Sequence, residues 1–491
     1  MVEPISPELK LGLKSPQEKL YAELKYRYFY LMSHTKLKKG RLRAFIATSV
    51  QLTEWGTSGG NIPDDSAHID GLKDALDLAE KIGDQSELDS RLAAARDIWR
   101  EGHRANAPDV YDKVEQGGRQ TGDTQSPYRE NNGRYNAISL FSGAMGLDIG
   151  FIEAGFRILI ANDIDAVCSR AASENIPELK FINRDINEVP PGKLMNEAGL
   201  EPGGVDLLIG GPPCQPFSPA GRRAGLNDPR ASPLIYFIRA IVDIRPRAFV
   251  MEEVPGILSS RIKHFPYYDK YKRAPSPEEE RGSAFRVIME MLHNTGYNIE
   301  YRVLNAADYG TPQVRNRVVF IGLRDGRPSF PPPAYSGDGD RALLPWNTLW
   351  DSVRGLRGTA DARLTGKNAE YMGYVPPGGN WVDLPKEIAR EAMGGGYDSE
   401  GGRMGFFRRL AWDEPSPTLV TSPMQKGTYL IHPELDRPLS VAEYKRLQGF
   451  PDDWTIPGNT SDRYRLIGNA VPVYLSRAVA YHIKKLLEGG Y

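Results

Sequence analysis

Between residues 137 and 323, short apolar runs alternate with amphipathic stretches of helical period, and few folds accept that pattern. The runs are Ala137 to Phe141, Arg157 to Ala161, Val205 to Ile209, Arg247 to Met251, Tyr297 to Leu304 and Arg317 to Leu323, with helices predicted at 147–154, 165–174, 233–243 and 283–294. Strands joined by helices of this length require right-handed crossovers. The pattern therefore predicts an α/β domain with a doubly wound, mostly parallel sheet whose ligands bind at the carboxyl ends of its strands.

On either side the pattern changes. Residues 1–104 carry Leu20, Leu24, Tyr28 and Leu31, and later Leu72, Leu76 and Leu92, at helical spacing, which predicts an N-terminal helical extension. Its basic cluster, Lys36, Lys38, Lys39, Arg41 and Arg43, suits a solvated face or phosphate contact. Residues 105–134 are polar and Gly-rich, as a linker is. The alternating domain is expected over 135–325 and an irregular Pro/Gly-rich segment with scattered Trp and Arg over 326–430. A helical tail over 431–491, with Val473, Val479, Ile483 and Leu487 as its apolar stripe, is expected to complete the alternating domain.

A net charge of −1 excludes a chain that coats nucleic acid by bulk charge, so any polyanion contact must come from a focused basic face. The two cysteines, Cys168 and Cys214, cannot form a disulfide framework, and no signal-like segment opens the sequence. A cytoplasmic protein is expected. No apolar run reaches membrane-spanning length, so no membrane partner is expected. The seven histidines show no paired spacing with cysteine, so no metal site is expected either.

Phe141-Ser142-Gly143-Ala144-Met145-Gly146-Leu147 joins the first run to the first helix, so backbone at Gly143 and Gly146 can approach a ligand closely. Asp163, ending the second run, is placed to accept from ribose hydroxyls, while Asp165 opens the next helix as an N-cap. Asp185 can accept from an adenine amine with Ile186 packed on the ring. No Gly run is left over for a pyrophosphate, so the pocket suits an adenosine with a non-phosphate tail, a description S-adenosylmethionine meets.

Gly210-Gly211-Pro212-Pro213-Cys214-Gln215-Pro216-Phe217-Ser218 follows the run Val205 to Ile209. A lone cysteine is commonly an inert small hydrophobe, but here prolines fix φ around the thiol and hold it preset, as a nucleophile is held. Met251-Glu252-Glu253-Val254 brings a carboxyl to the same sheet edge, where burial would raise its pKa toward that of a proton donor. Gln313-Val314-Arg315-Asn316-Arg317 brings two guanidinium groups, and Gly468-Asn469-Ala470-Val471-Pro472 precedes the last helix.

Together and in this order, these motifs resemble the DNA (cytosine-5)-methyltransferase family over about residues 134–325 and 430–491. The resemblance implies Cys214 as the nucleophile that attacks cytosine C6, Glu252 as the acid at N3 of a flipped base and Arg317 as the residue holding its O2. Gln313 and Arg315 would line the same wall. It implies that Phe141, Gly143, Gly146, Leu147, Asp163, Asp185, Ile186, Pro212, Asn469 and Val471 line an S-adenosylmethionine pocket. Residues 326–430 would be a target-recognition domain with Thr418-Leu419 at its base-reading edge, and Arg437 through Pro451 the segment supporting it. Arg222, Arg223, Arg403, Arg408 and Arg409 are expected to neutralise phosphates of double-stranded DNA. A monomer associated with the nucleoid, with a cognate restriction endonuclease related in function rather than bound, completes the expectation.

The family usually has Asn after the catalytic Glu; this chain has Glu253, and retained activity is expected. Two readings stand beside this one. An RNA cytosine-5 methyltransferase shares the Pro-Pro-Cys motif, although one such branch carries a later Cys-Phe-Thr that this chain lacks, having no Cys after 214. The other is a noncatalytic DNA-binding regulator with the same fold.

Overall fold

The computed structural model describes residues 134–213, 232–263, 265, 273–338, 343–356, 361–397, 405–425 and 427–489, together with parts of 20–50 and 65–98. The expected linker up to residue 133 lies outside these, as do Lys38, Lys39, Cys214, Arg222, Arg223 and Arg403. The chain divides into two compact units: one comprises 123–309, 315–332 and 449–491, the other 1–122, 310–314 and 333–448.

The first unit is built on a seven-stranded sheet. Its strands are β1 (Tyr135–Leu140), β2 (Phe156–Asp163), β3 (Lys180–Asn183), β4 (Leu207–Gly210), β5 (Ala248–Glu253), β6 (Asn298–Asn305) and β7 (Asn316–Leu323), in the spatial order β3-β2-β1-β4-β5-β7-β6. All neighbouring pairs up to β5 are parallel, and β7 runs antiparallel to both β5 and β6. The expected doubly wound, mostly parallel sheet is therefore present. The reversal has a local cause: only a short 3-10 turn, Ala306–Tyr309, and the bridge residues Gln313–Val314 separate β6 from β7, too little chain for a crossover helix.

Burial explains why the central strands read as unbroken apolar runs. All of β4 and nearly all of β1 and β7 are buried, because helices cover both faces. The edge strands β3 and β6 are largely exposed and carry Lys180, Glu300 and Arg302, charges that discourage pairing with another chain. The helices are α1 (Gly146–Glu153), α2 (Ala166–Asn175), α3 (Pro191–Ala198), α4 (Ser232–Ile244), α5 (Ser283–His293), α6 (Thr460–Asn469) and α7 (Val473–Leu487). One core joins Ile138, Leu140 and Leu208 to Phe237, Phe249 and Phe320, with Phe237 edge-on to Phe249 at 6.4 Å between centroids. The C-terminal α7 packs on α1, where Arg477 pairs with Glu153. Strand order reverses between β1 and β4, and a crevice opens at such a switch point.

In the second unit the N-terminal helical stretches bury Leu24, Tyr28, Met32, Leu42, Phe45, Leu72, Leu76 and Leu92 in one cluster, against which Trp346 packs. A separate cluster joins Tyr371, Met372 and Val375 to Phe407, Tyr429 and Ile431. The boundary falls at 448/449 rather than at the expected 430/431, because 431–448 is bonded into this unit: Ile431 bridges to Arg409, and the Val441 amide donates to Asp361 at 2.8 Å.

Candidate active site

The loop from β1 to α1 is wound tightly enough that Phe141, Gly143 and Met145 all have positive φ, at 59°, 55° and 68°. Two of these are not glycine, and left-handed backbone costs an ordinary residue roughly 1–2 kcal/mol, so the surrounding structure must impose the turn. Part of that constraint is visible. The Gly143 amide donates to Asp163 Oδ2 at 3.0 Å, the Met145 amide to the Ser142 carbonyl at 2.7 Å, and the Asp165 amide to Asp163 Oδ1 at 2.9 Å. Burial pushes the Asp163 pKa up, and these two amide bonds oppose it. At Gly146 a Cβ would lie 2.4 Å from the Val471 carbonyl oxygen, so only glycine lets the turn before α7 close over the start of α1.

This loop floors a cleft of about 800 Å³ at the carboxyl ends of β1, β2, β4 and β5. Its walls include every residue expected at a cofactor: Phe141, Gly143, Gly146, Leu147, Asp163, Asp185, Ile186, Pro212, Asn469 and Val471. Asp185 caps the turn Ile186–Glu188, accepting from the Asn187 amide at 2.9 Å, and Ile186 is buried beside it. Asp165 caps α2, accepting from the Val167 amide at 2.8 Å, and pairs with Arg465 at 2.7 Å. Carboxylates for hydroxyl and amine groups, apolar side chains for a ring and approachable backbone thus face one space. That donor set and volume fit S-adenosylmethionine.

Glu252, Arg315 and Arg317 line the same cleft. Glu252 Oε1 and Arg317 Nε are 2.6 Å apart, and both side chains are nearly buried. Gly211 lies under the pair, where a Cβ would come within 2.9 Å of Glu252 Oε2. Arg315 is buried and donates to the Gly468 carbonyl at 2.7 Å. Desolvation and the neighbouring Arg317 push its pKa well down, with Glu252 opposing. Glu253 also borders the cleft, but consecutive strand positions project to opposite faces, and its side chain accepts from the Val254 amide at 3.2 Å. Gly211, Pro212 and Pro213 line the cleft, and the described chain stops there, one residue before Cys214 in the sequence.

Gln313 is not among the lining residues. It is fully buried in the other unit, where its side chain donates to Gln448 Oε1 at 2.6 Å and accepts from the Leu419 amide at 2.9 Å. The bridge pairing Ser416–Pro417 with Gln313–Val314 and a Thr418 hydroxyl bond to the Val314 carbonyl at 2.8 Å complete this anchor. Gln313 therefore holds the Thr418-Leu419 segment rather than a wall of the cleft. Arg409 also departs from expectation. It has no exposed surface, and its guanidinium donates to the carbonyls of Val375, Met372, His432 and Leu435 and pairs with Asp436, which leaves nothing for a phosphate.

Of the lining residues that escaped the sequence reading, two have unusual surroundings. Asp148, in the first turn of α1, has no exposed surface and neither carboxyl oxygen finds a well-formed partner. Desolvation pushes its pKa up to about 7, against the Ser139 hydroxyl and its own amide. Its signal was a lone acid in an otherwise apolar helix start. Ile164 is 68% exposed at the mouth of the cleft, an apolar surface one residue beyond Asp163. Among the described residues no three His, Cys, Asp or Glu side chains gather as a metal site, and no helix is long and apolar enough to cross a membrane.

Comparison with known proteins matches residues 135–485 to the family described as C-5 cytosine-specific DNA methylase. Type II methyltransferase M.PspPI of a Psychrobacter species is 37% identical over 360 residues, covering 72% of this chain and 80% of its own. Type II methyltransferase M.Eco47II of Escherichia coli is 35% identical over 364 residues, covering 73% and 81%. Type II methyltransferase M.Sau96I of Staphylococcus aureus is 34% identical over 350 residues, covering 71% and 75%.

Proposed function

The chain belongs to the C-5 cytosine-specific DNA methylase family, and on that premise we propose that it methylates C5 of a cytosine everted from a specific duplex sequence, as the modification enzyme of a restriction system. The observation that carries this reading is the meeting, in one cleft, of the Glu252–Arg317 pair with the strained loop Phe141–Met145 and the carboxylates Asp163 and Asp185. Bound there, S-adenosylmethionine supplies an electrophilic methyl group.

Cytosine C5 is a poor nucleophile, so the role of Cys214 is to add its thiolate to C6, forming an S–C6 bond and pushing electron density toward C5 and N3. Glu252 engages N3 as that density develops, and positioned proton transfer of this kind is typically worth about 10²- to 10⁴-fold in rate. Arg317, oriented by its bond to Glu252, holds the base O2. After methylation the C5 proton leaves, the S–C6 electron pair returns to sulfur and Cys214 emerges unchanged. Attack comes from above the ring plane, so the base must leave the duplex, at a cost of a few kcal/mol.

The test is transfer of labelled methyl groups from S-adenosylmethionine to duplex DNA. Wild-type protein is expected to label DNA and Cys214→Ser to label none. Duplex carrying 5-fluorocytosine at the target should trap a denaturation-resistant adduct, because fluorine cannot leave as a cation. Labelling of tRNA in place of DNA, or an adduct that falls apart in detergent, overturns the reading.

A further inference from the structure

The family match begins at residue 135, so it assigns nothing to the N-terminal helical body. The structure shows what that body is bonded to. Within the second unit, Lys25 Nζ lies 2.8 Å from Asp351 Oδ2, nearly buried. The Tyr28 hydroxyl donates to Glu414 Oε1 at 3.0 Å, and Arg43 Nε approaches the same oxygen at 3.5 Å. Glu414 stands two residues before the Ser416–Pro417 bridge that leads to Thr418. The N-terminal helices are thus fixed to the rest of the unit by packing against Trp346 and a tie to Asp351, and by two polar ties to Glu414, just before the segment that carries Thr418-Leu419.

This docking forms a second cleft, about 760 Å³, whose walls include Arg41 and Arg43 from the N-terminal body and Asn380, Arg408, Glu414 and Thr418 from the rest of the unit. The cation balance there is uneven. Glu414 is committed to Tyr28 and Arg43, and Asp383, the other carboxylate in the walls, is buried and accepts from the Asn380 amide at 2.9 Å. Among the described residues Arg41 pairs only with Asp89, at 3.8 Å with both side chains more than two-fifths exposed, a contact of little strength in water. Arg408 pairs with no carboxylate among the described residues, and burial disfavours its charge while Glu414 restores only part of it. A groove that gathers under-compensated guanidinium groups beside hydrogen-bonding Asn and Thr side chains suits a phosphodiester backbone, which offers charge-assisted and often bidentate acceptors.

We propose that the N-terminal helical body is part of the DNA-recognition surface, and that Arg41 and Arg408 grip a backbone phosphate of the substrate duplex in this cleft. The inference rests on the DNA-methyltransferase reading above. Phosphate contacts position a duplex without reading it, so the cleft contributes affinity and register to every sequence alike.

The full-length protein is titrated with a fluorescent duplex at several salt concentrations, using target-containing and target-free DNA. Arg41→Gln is expected to weaken both affinities several-fold, leave their ratio unchanged, and lower the slope of log affinity against log salt by about 1. Arg41→Lys, which keeps the charge, should retain most of the slope. Arg408→Gln should behave as Arg41→Gln does, and it decides the matter if Arg41→Gln fails to fold. Affinity and slope unchanged in both glutamine variants overturn the proposal, as does a loss confined to the target sequence. Wild-type protein that neither binds nor labels any duplex would instead remove the underlying methyltransferase reading.

Discussion

Asp148 is the side chain in the first cleft with the least favourable surroundings: buried, acidic, and without a well-formed partner for either oxygen. Its folded pKa stands at about 7 against an ordinary 3.8. Below the lower value both folded and unfolded chains hold the proton, and the residue costs nothing. As pH rises, the unfolded chain ionises first, and the folded state loses stability progressively until it too ionises near pH 7. Asp148→Asn removes that loss. Its melting temperature should match wild type near pH 4 and exceed it increasingly up to pH 7, with a plateau on the order of a few kcal/mol above. Calorimetry across pH 4–8 checks this, and a constant difference at all pH values would show that packing, not ionisation, governs the site. The Glu252–Arg317 pair gives a second expectation at the same scale. Glu252→Gln keeps the shape and loses the acid, so turnover should fall about 10²- to 10⁴-fold while DNA affinity holds, as single-turnover and binding measurements would separate.

At the level of elements, the turn between β1 and α1 is held closed from outside by the stretch between α6 and α7. Gly146→Ala puts a methyl group 2.4 Å from the Val471 carbonyl, so one side must yield. Overpacking of this kind costs about 1–3 kcal/mol, and because the yielding atoms line the cleft, calorimetric S-adenosylmethionine affinity should drop at least tenfold along with the melting temperature. That turn was legible in the sequence because glycines at a strand-to-helix junction have few other uses. The strands β1, β4 and β5 were legible for a similar reason, since burial on both faces leaves an apolar run bounded by turn residues. Other elements left weaker marks. The helix α3 has only Leu194 and Met195 as its buried aliphatic positions, too few for a period, and the direction of β7 leaves no trace in composition. Gln313 shows how a correct motif can mislead about one member. Its alternate spacing with Arg315 and Arg317 suggests one strand face, but the ladder is interrupted at Arg315, so Gln313 belongs to the pairing with Ser416–Pro417 while Arg317 belongs to β7. Asp148 and Ile164 were missed because their meaning comes from the cleft around them.

Across the whole molecule, the chain passes between its two compact units at 122/123, 309/310, 314/315, 332/333 and 448/449, so each unit is assembled from distant pieces of sequence. Such an arrangement needs internal nodes that bind the pieces of one unit to each other. In the sheet unit the node is the pairing of α1 with α7, segments over three hundred residues apart, through Arg477 and Glu153. In the other unit it is Arg409, which ties Met372, at the end of the helix Lys367–Met372, and the loop residue Val375 to His432, Leu435 and Asp436 with no contact to water. Removing one partner of a buried, fully bonded charge leaves the rest unsatisfied and typically costs about 3–5 kcal/mol. Arg409→Met should therefore strip hydrogen-exchange protection from 371–375 and 429–437. Binding of S-adenosylmethionine, whose expected contacts all lie in the sheet unit, should stay within about twofold of wild type, since changes that share no partners are close to additive. Loss of both together would mean that the two units unfold as one, and that Arg409 stabilises the molecule rather than the unit in which it is buried.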